Sequence, residues 1–156
     1  MNEGERLIHE FYSAFRERDA ERMAACYHSD VRFSDPVFQD LRGTQAGDMW
    51  RMLCGRPDSD LTIEYRDVRA DDARGTAHWE ARYTFSTGRA VHNVIDAEFE
   101  FADGRIMRHV DRFDLPAWAA QALGLPGTLL GRTPFMQRKI RNMAMSRLKE
   151  HQARTG

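Results

Sequence analysis

The feature that most limits what this chain can become is a change of hydrophobic period near residue 60. Before it, apolar residues recur at the spacing of one helical face. Ile8, Phe11, Tyr12 and Phe15 stand at i, i+3, i+4 and i+7, which predicts a first amphipathic helix over residues 5–17. Asp19 is a good N-cap, and Ala20, Met23, Ala24 and Tyr27 repeat the spacing in a second, shorter helix ending near His28 to Asp30. In VRFSDPVF, Val31 and Phe33 alternate before Asp35-Pro36, and a proline disfavours the helical region for the residue before it. That stretch reads as a short strand running into a loop. Thr44 is then placed to cap a third helix with the apolar face Ala46, Met49, Trp50 and Leu53, ended by Gly55 and Pro57.

From Leu61 the period becomes two. Leu61, Ile63 and Tyr65, then Trp79, Ala81, Tyr83 and Phe85, occupy alternate positions, and Thr87-Gly88 and Asp103-Gly104 are hairpin signals. They divide residues 60–114 into about four antiparallel strands. Helices followed by a meander give an α+β fold rather than a parallel βαβ design. After Pro116 the pattern turns helical again in PAWAAQAL, is broken by Gly124, Pro126, Gly127 and Gly131, and resumes in a last helix from Pro134 to Glu150.

Length and charge bound the rest. At 156 residues the chain suits a single domain, and a chain of this length buries roughly 70% of its unfolded surface. No apolar run approaches the roughly 18 residues of a membrane span, and MNEGERLIHEF has no basic segment leading into an apolar stretch, so a soluble protein in the cytoplasm is expected. Cys26 and Cys54 lie far from any C-x-x-C spacing and are expected to be buried free thiols. The net charge of −1 hides an asymmetry: from Arg132 onward seven Lys or Arg face one acid, +6, so the remaining chain has 16 basic against 23 acidic residues, −7. The segment 116–156 therefore reads as a basic helical extension that packs on the body or on a partner. Its small apolar run and basic helix also fit weak attachment to an anionic membrane surface. Nucleic-acid binding is not expected, because no stacking aromatics are interleaved with the basic residues.

The stretch FYSAFRERDAERMAACYHSDVRFSDP, the Gly43-Thr44 helix start, the strand VIDAEFEF and the hairpin DGRI resemble the SnoaL-like family, which includes ketosteroid isomerases and polyketide cyclases. The resemblance covers residues 5–115 and implies a domain over 1–115. Its fold would be the cone of nuclear transport factor 2-like proteins, a curved antiparallel sheet wrapped around the N-terminal helices with a pocket inside. It implies Asp35 as a general base and Asp96 as a protonated acid donating to an oxyanion. The family's oxyanion Tyr aligns with Phe11, which has no hydroxyl. Tyr12 is adjacent, but one helical step turns a side chain by about 100°. In related cyclases and epoxide hydrolases an acid on the last strand is the working group, which makes Asp111, with His109 beside it, a further candidate. On the same alignment Trp79, Ala81 and Tyr83 face the pocket from one strand and Met107, His109, Asp111 and Phe113 from another. Phe11, Tyr12, Trp50, Trp79, Tyr83 and Phe113 are the implied ligand-binding residues.

Each candidate also has a plain structural reading. Asp35 before Pro36 suits a turn. His109 and Asp111 could form surface ion pairs with Arg108 or Arg112. Under strict alternation Asp96 shares a strand face with Glu98 and Glu100, a solvent-facing pattern. A bulge would reconcile that with a pocket position. So would an outer face of Ile95, Ala97, Phe99 and Phe101 covered in a homodimer. No standard ligand spacing calls for a metal, and no cofactor is expected. The leading functional expectation is cofactor-free acid/base chemistry, as isomerase, cyclase or hydrolase, on a small hydrophobic molecule such as a polyketide- or steroid-like ketone. The rival is a non-catalytic ligand-binding or dimeric interaction module of the same fold.

Overall fold

A computed structural model describes residues 1–155. Three helices come first, interrupted by a short pair of strands: α1 (Glu3–Arg16), α2 (Ala20–Ala25), β1 (Tyr27–Ser34), β2 (Leu41–Arg42) and α3 (Thr44–Cys54). A meander follows in β3 (Thr62–Ala70), β4 (Arg74–Thr84), β5 (Ala90–Ala102) and β6 (Arg105–Arg112). Three helices close the chain, α4 (Leu115–Leu123), α5 (Leu125–Leu130) and α6 (Pro134–Thr155). The strands form one curved, open six-stranded sheet in the order β2-β1-β6-β5-β4-β3. As the period-two pattern predicts, β3 to β6 are antiparallel throughout. The N-terminal strand adds a feature the sequence did not disclose: β1 lies parallel to β6, with Phe33 opposite His109.

Local chemistry explains the boundaries. Asp19 caps α2 by accepting from the Arg22 N–H at 3.1 Å. Asp103 and Gly104 both take positive φ, +54° and +74°, the signature of the two-residue hairpin turn expected there. At α3 the expectation is corrected. Thr44 is the first helical residue, and the cap position belongs to Gly43 at φ +57°, whose N–H is held by the Val31 carbonyl at 2.8 Å. The second helix, expected to end near His28 to Asp30, stops at Ala25, and Tyr27 of its expected apolar face is instead the first residue of β1. Cys26 and Cys54 are free and buried, and burial pushes their thiols up to about 12 and about 11.

The core fills the concave side of the sheet. Ile8, Phe11, Tyr12 and Phe15 of α1 are fully or almost fully buried, and Phe11 meets Phe99 of β5 at 6.4 Å between ring centres. The pleat therefore sends Ile95, Ala97 and Phe99 inward onto the helices and Asp96, Glu98 and Glu100 outward. This corrects the expected apolar outer stripe. The side of β5 that argued for a dimer is the core itself, and the outward side is charged. A bulge between β5 and β6 displaces one residue of β6, so Glu100 pairs with Arg108 but Phe101 with Ile106. Met107 falls in the bulge and Ile106 takes the fully buried place, which corrects Met107 as a pocket-facing residue.

The C-terminal helices are built into this body. Leu148 of α6 is fully buried in the main core, and Met136 and Ile140 join Leu115, Trp118, Ala119 and Val91 in a second cluster over the open end of the cone. Arg141 donates to the Pro36 carbonyl at 2.9 Å and Gln152 to Asp48 at 3.0 Å. Leu148→Ala is expected to cost about 2–5 kcal/mol of unfolding free energy, as for buried leucines generally. Urea denaturation measures it, and a loss below about 1 kcal/mol would mean that α6 is not part of the cooperative unit.

Candidate active site

A cavity of about 270 Å³ lies between the inner sheet face, α3 and the C-terminal helices. Its wall is mostly aromatic and aliphatic. Trp50 comes from α3, Trp79 and Tyr83 from β4, Phe113 from just past β6, and Trp118 and Ile140 from the covering helices. Two carboxylic acids reach it, Asp35 and Asp111.

Asp35 sits where β1 gives way to the Pro36 turn. Its Oδ1 accepts from the backbone N–H groups of Val37 at 2.7 Å and Phe38 at 2.6 Å, while its own N–H donates to the Phe38 carbonyl at 2.8 Å. The turn reading of this residue holds, and the same carboxyl also lines the cavity. Burial is the main influence on it and raises its pKa. The Phe38 N–H opposes, the negative charge of Asp111 adds to the rise, the Val37 N–H opposes, and the balance is about 7.

Asp111 ends a chain of hydrogen bonds running back through the wall. Trp50 Nε1 donates to the Tyr27 hydroxyl at 2.9 Å, and that hydroxyl meets His109 Nδ1 at 2.8 Å. His109 Nε2 meets Asp111 Oδ1 at 2.8 Å, and Trp79 Nε1 donates to the same oxygen at 3.3 Å. Donor counting orders the protons. Indole N–H only donates, so Tyr27 accepts from Trp50 and has one proton to give. An Asp111 carboxylate needs the proton on His109 Nε2, and a neutral ring then leaves Nδ1 to accept from Tyr27. The Trp50 and Trp79 N–H groups, the Tyr27 hydroxyl, both His109 nitrogens and Asp111 Oδ1 are thereby all used, as burial requires, with His109 at 0% and Asp111 at 3% exposure. Surface pairing with Arg108 or Arg112 is not what these two residues do.

The other candidates divide by position. Trp50, Trp79, Tyr83 and Phe113 line the cavity. Tyr83 accepts from Trp118 Nε1 at 2.7 Å, which ties the covering helix to the sheet. Phe11 and Tyr12 do not reach the cavity. Phe11 packs behind it on Tyr27 and His109, each 5.4 Å between ring centres. Tyr12 is stacked on Tyr65, and its fully buried hydroxyl has no partner among the described residues. Desolvation, then the charges of Asp111 and Tyr27, hold that hydroxyl's pKa well above its ordinary value. Asp96 is corrected outright. It lies on the opposite face of the sheet with its side chain 81% exposed, meeting His78 Nδ1 at 3.0 Å. Pairing with Arg112 across β5 and β6 keeps the strict alternation that places it there. No group of three or more His, Cys, Asp or Glu side chains is arranged to hold a metal ion among the described residues.

Residues 8–109 match the SnoaL-like domain. The chain belongs to the SnoaL-like family. Solved structures place this SnoaL-like chain in the nuclear transport factor 2-like cone fold. An LEH-like epoxide hydrolase from M. tuberculosis is 22% identical, with a TM-score of 0.65 over 82% of this chain and 96% of that one. TerC, co-crystallised with polyporic acid, is 20% identical, with a TM-score of 0.65 over 77% and 98%. A candidate polyketide cyclase from Xanthomonas campestris pv. campestris is 24% identical, with a TM-score of 0.62 over 76% and 96%. No curated protein matches the sequence.

Sequence reasoning missed Tyr27, the residue that links Trp50 to His109 in this SnoaL-like site. Alternation gives no signal for it: Ser29, between Tyr27 and Val31 in the odd series, is exposed, and the pairing of β1 with β6 shifts register between Tyr27 and Arg32. Tyr27→Phe is expected to cost about 1–3 kcal/mol, because it leaves the Trp50 N–H and a His109 nitrogen unpaired in the interior.

The acidity of Asp35 gives a signed expectation. A folded value of about 7 lies above the ordinary 3.8, so between those values the native state holds a proton that the unfolded chain has lost. That contribution to stability is complete below about pH 4 and is lost as pH rises through about 7. Three units would be about 4 kcal/mol at full desolvation. Exposed Leu53 and Met143 at the cavity rim admit water, so on the order of 2 kcal/mol is expected. Asp35→Asn should gain that much on the wild type between pH 4 and pH 8 in paired denaturation curves. An equal offset at both pH values would contradict it.

Proposed function

We propose that this protein is an acid/base enzyme of the isomerase, cyclase or hydrolase type, acting through its own side chains on a small hydrophobic molecule. The observation that carries the reading is the pair of acids in one apolar cavity, held in different surroundings. Asp35 has backbone N–H groups on one oxygen and a pKa near neutrality; Asp111 is grasped by the N–H groups of Trp79 and His109. Acid/base chemistry at one pH needs two groups in opposite protonation states, and surroundings of this kind separate them. Asp35, neutral below about pH 7, would protonate a carbonyl or epoxide oxygen of the substrate. Asp111, the carboxylate, would take a proton from an adjacent carbon or from an attacking water. His109, with both nitrogens engaged, would orient Asp111 rather than touch the substrate.

The size and lining of the cavity suit the substrate class. At about 270 Å³ it lies just below the range of about 300–1,000 Å³ typical of ligand pockets. Its indole, phenol and phenyl walls favour a compact, largely apolar molecule. A polyketide-like ketone or an epoxide fits that description, and the names of the similar structures from Xanthomonas campestris and M. tuberculosis agree with it. One observation favours the rival reading of a ligand-binding module. The fully buried His109 is satisfied within the fold and needs no substrate to complete its hydrogen bonds.

The deciding assay sets enones, epoxides and polyketide-like ketones against the wild type, Asp35→Asn and Asp111→Asn. Each substitution is expected to lower kcat about 10²–10⁴-fold, the usual worth of a positioned acid or base. With Asp35 as the acid, kcat/KM falls as pH rises through about 7. A rise through the same pH would make Asp35 the base, and no turnover of any class by the wild type would favour the binding module.

A further inference from the structure

The C-terminal segment carries a surface that the cavity does not use. From Leu115 to Lys149 the chain has no Asp or Glu and has six Lys or Arg. Within that run Leu125 is 69% exposed, Leu129 70% and Phe135 65%. Leu125 and Leu129 stand four residues apart on α5, so they share a face, and Phe135 follows in the first turn of α6. Arg138 and Lys139, three and four residues beyond Phe135, share its helical face, and Arg132 lies between the two helices. All three cations are exposed, and none forms an ion pair among the described residues. The buried positions of α6, Met136, Ile140 and Leu148, are turned to the body, so this surface is not a core face left uncovered.

We propose that α5 and the first two turns of α6 form a docking surface for an anionic lipid bilayer. Leu125, Leu129 and Phe135 enter the boundary between headgroups and acyl chains, and Arg132, Arg138 and Lys139 meet the anionic headgroups. Charge complementarity selects this occupant. An apolar patch bordered by unpaired cations and free of acids is the composition of an interfacial anchor. A second copy meeting the same patch across a two-fold axis would bring six cations together without a counter-charge. Contact is taken at the surface; among the described residues no helix is long and apolar enough to cross a membrane. The docking surface runs from α5 into α6, and α4 and α6 supply Trp118, Ile140 and Met143 to the cavity. A docked molecule therefore holds the covering helices of its cavity against the lipid.

Flotation of the full chain with vesicles tests the proposal. Binding is expected to phosphatidylcholine vesicles containing about 30 mol% phosphatidylglycerol and not to pure phosphatidylcholine, and to weaken as salt is raised. The double variant Leu129→Asp, Phe135→Asp should lower the bound fraction about tenfold, and Arg138→Gln, Lys139→Gln should abolish the preference for anionic lipid. These positions are exposed, so circular dichroism should report an unchanged fold. Failure of the wild type to float with either vesicle would overturn the proposal. So would binding that ignores the Leu129 and Phe135 substitutions, or a light-scattering mass twice 18.1 kDa that returns to 18.1 kDa in the double variant. That last result would give the patch to a second copy.

Discussion

A carboxylate and an imidazole buried against each other in an aromatic interior set the terms for the rest of this structure. Neither Asp111 nor His109 could be withdrawn from water without partners, since an unpaired buried polar group costs about 1–3 kcal/mol and an unpaired charge more. The partners come from four separate elements. Trp50 is on α3, Tyr27 on β1, His109 and Asp111 on β6, and Trp79 on β4. The chain of hydrogen bonds thus fixes the depth of α3 in the cone, the parallel placement of β1 and the facing of the sheet. Phe11, Phe33 and Phe99 close around the imidazole at 5.4, 5.0 and 4.4 Å between ring centres and keep water from competing.

Strand register is the second constraint, because a slip of one residue exchanges the faces of a strand. On β5 strict alternation keeps Phe99 under α1 and sends Asp96 to solvent, where it joins His78, Glu80 and His92 in a charged array. On β6 one bulge lets the buried series run Ile106, His109, Asp111 rather than through Met107. The cavity acids follow from these two facts together with the Pro36 turn, which swings Asp35 to the same side. The covering helices then complete the wall. Trp118 reaches Tyr83, and Arg141 holds the carbonyl of the proline that shapes the Asp35 turn.

The architecture was legible because period is a local property. Ile8 to Phe15 and Trp79 to Phe85 declare helix and strand by spacing alone, and Asp103-Gly104 declares its hairpin. Asp35, Asp111, His109 and the aromatic wall could be singled out only through the family resemblance. What was not legible is what depends on pairing between distant segments. Asp96 is the converse case: its place in a motif points to the pocket, while the alternation it shares with Glu98 and Glu100 points to solvent, and β5 keeps the alternation. The role of Tyr27 depends on β1 lying beside β6, some 80 residues on, and nothing near Tyr27 in the chain encodes that distance. Tyr12 likewise looks like a spare hydroxyl in sequence and proves to be buried behind the wall, its oxygen unpartnered.

The central claim is that Asp35 and Asp111 share one cavity and feel each other there in opposite protonation states. An NMR titration of the Asp35 carboxyl carbon, in the wild type and in Asp111→Asn, tests it most directly. The account predicts a midpoint near 7 in the wild type and a lower one once the Asp111 charge is removed. A midpoint close to the ordinary aspartate value near 4, unmoved by Asp111→Asn, would contradict it.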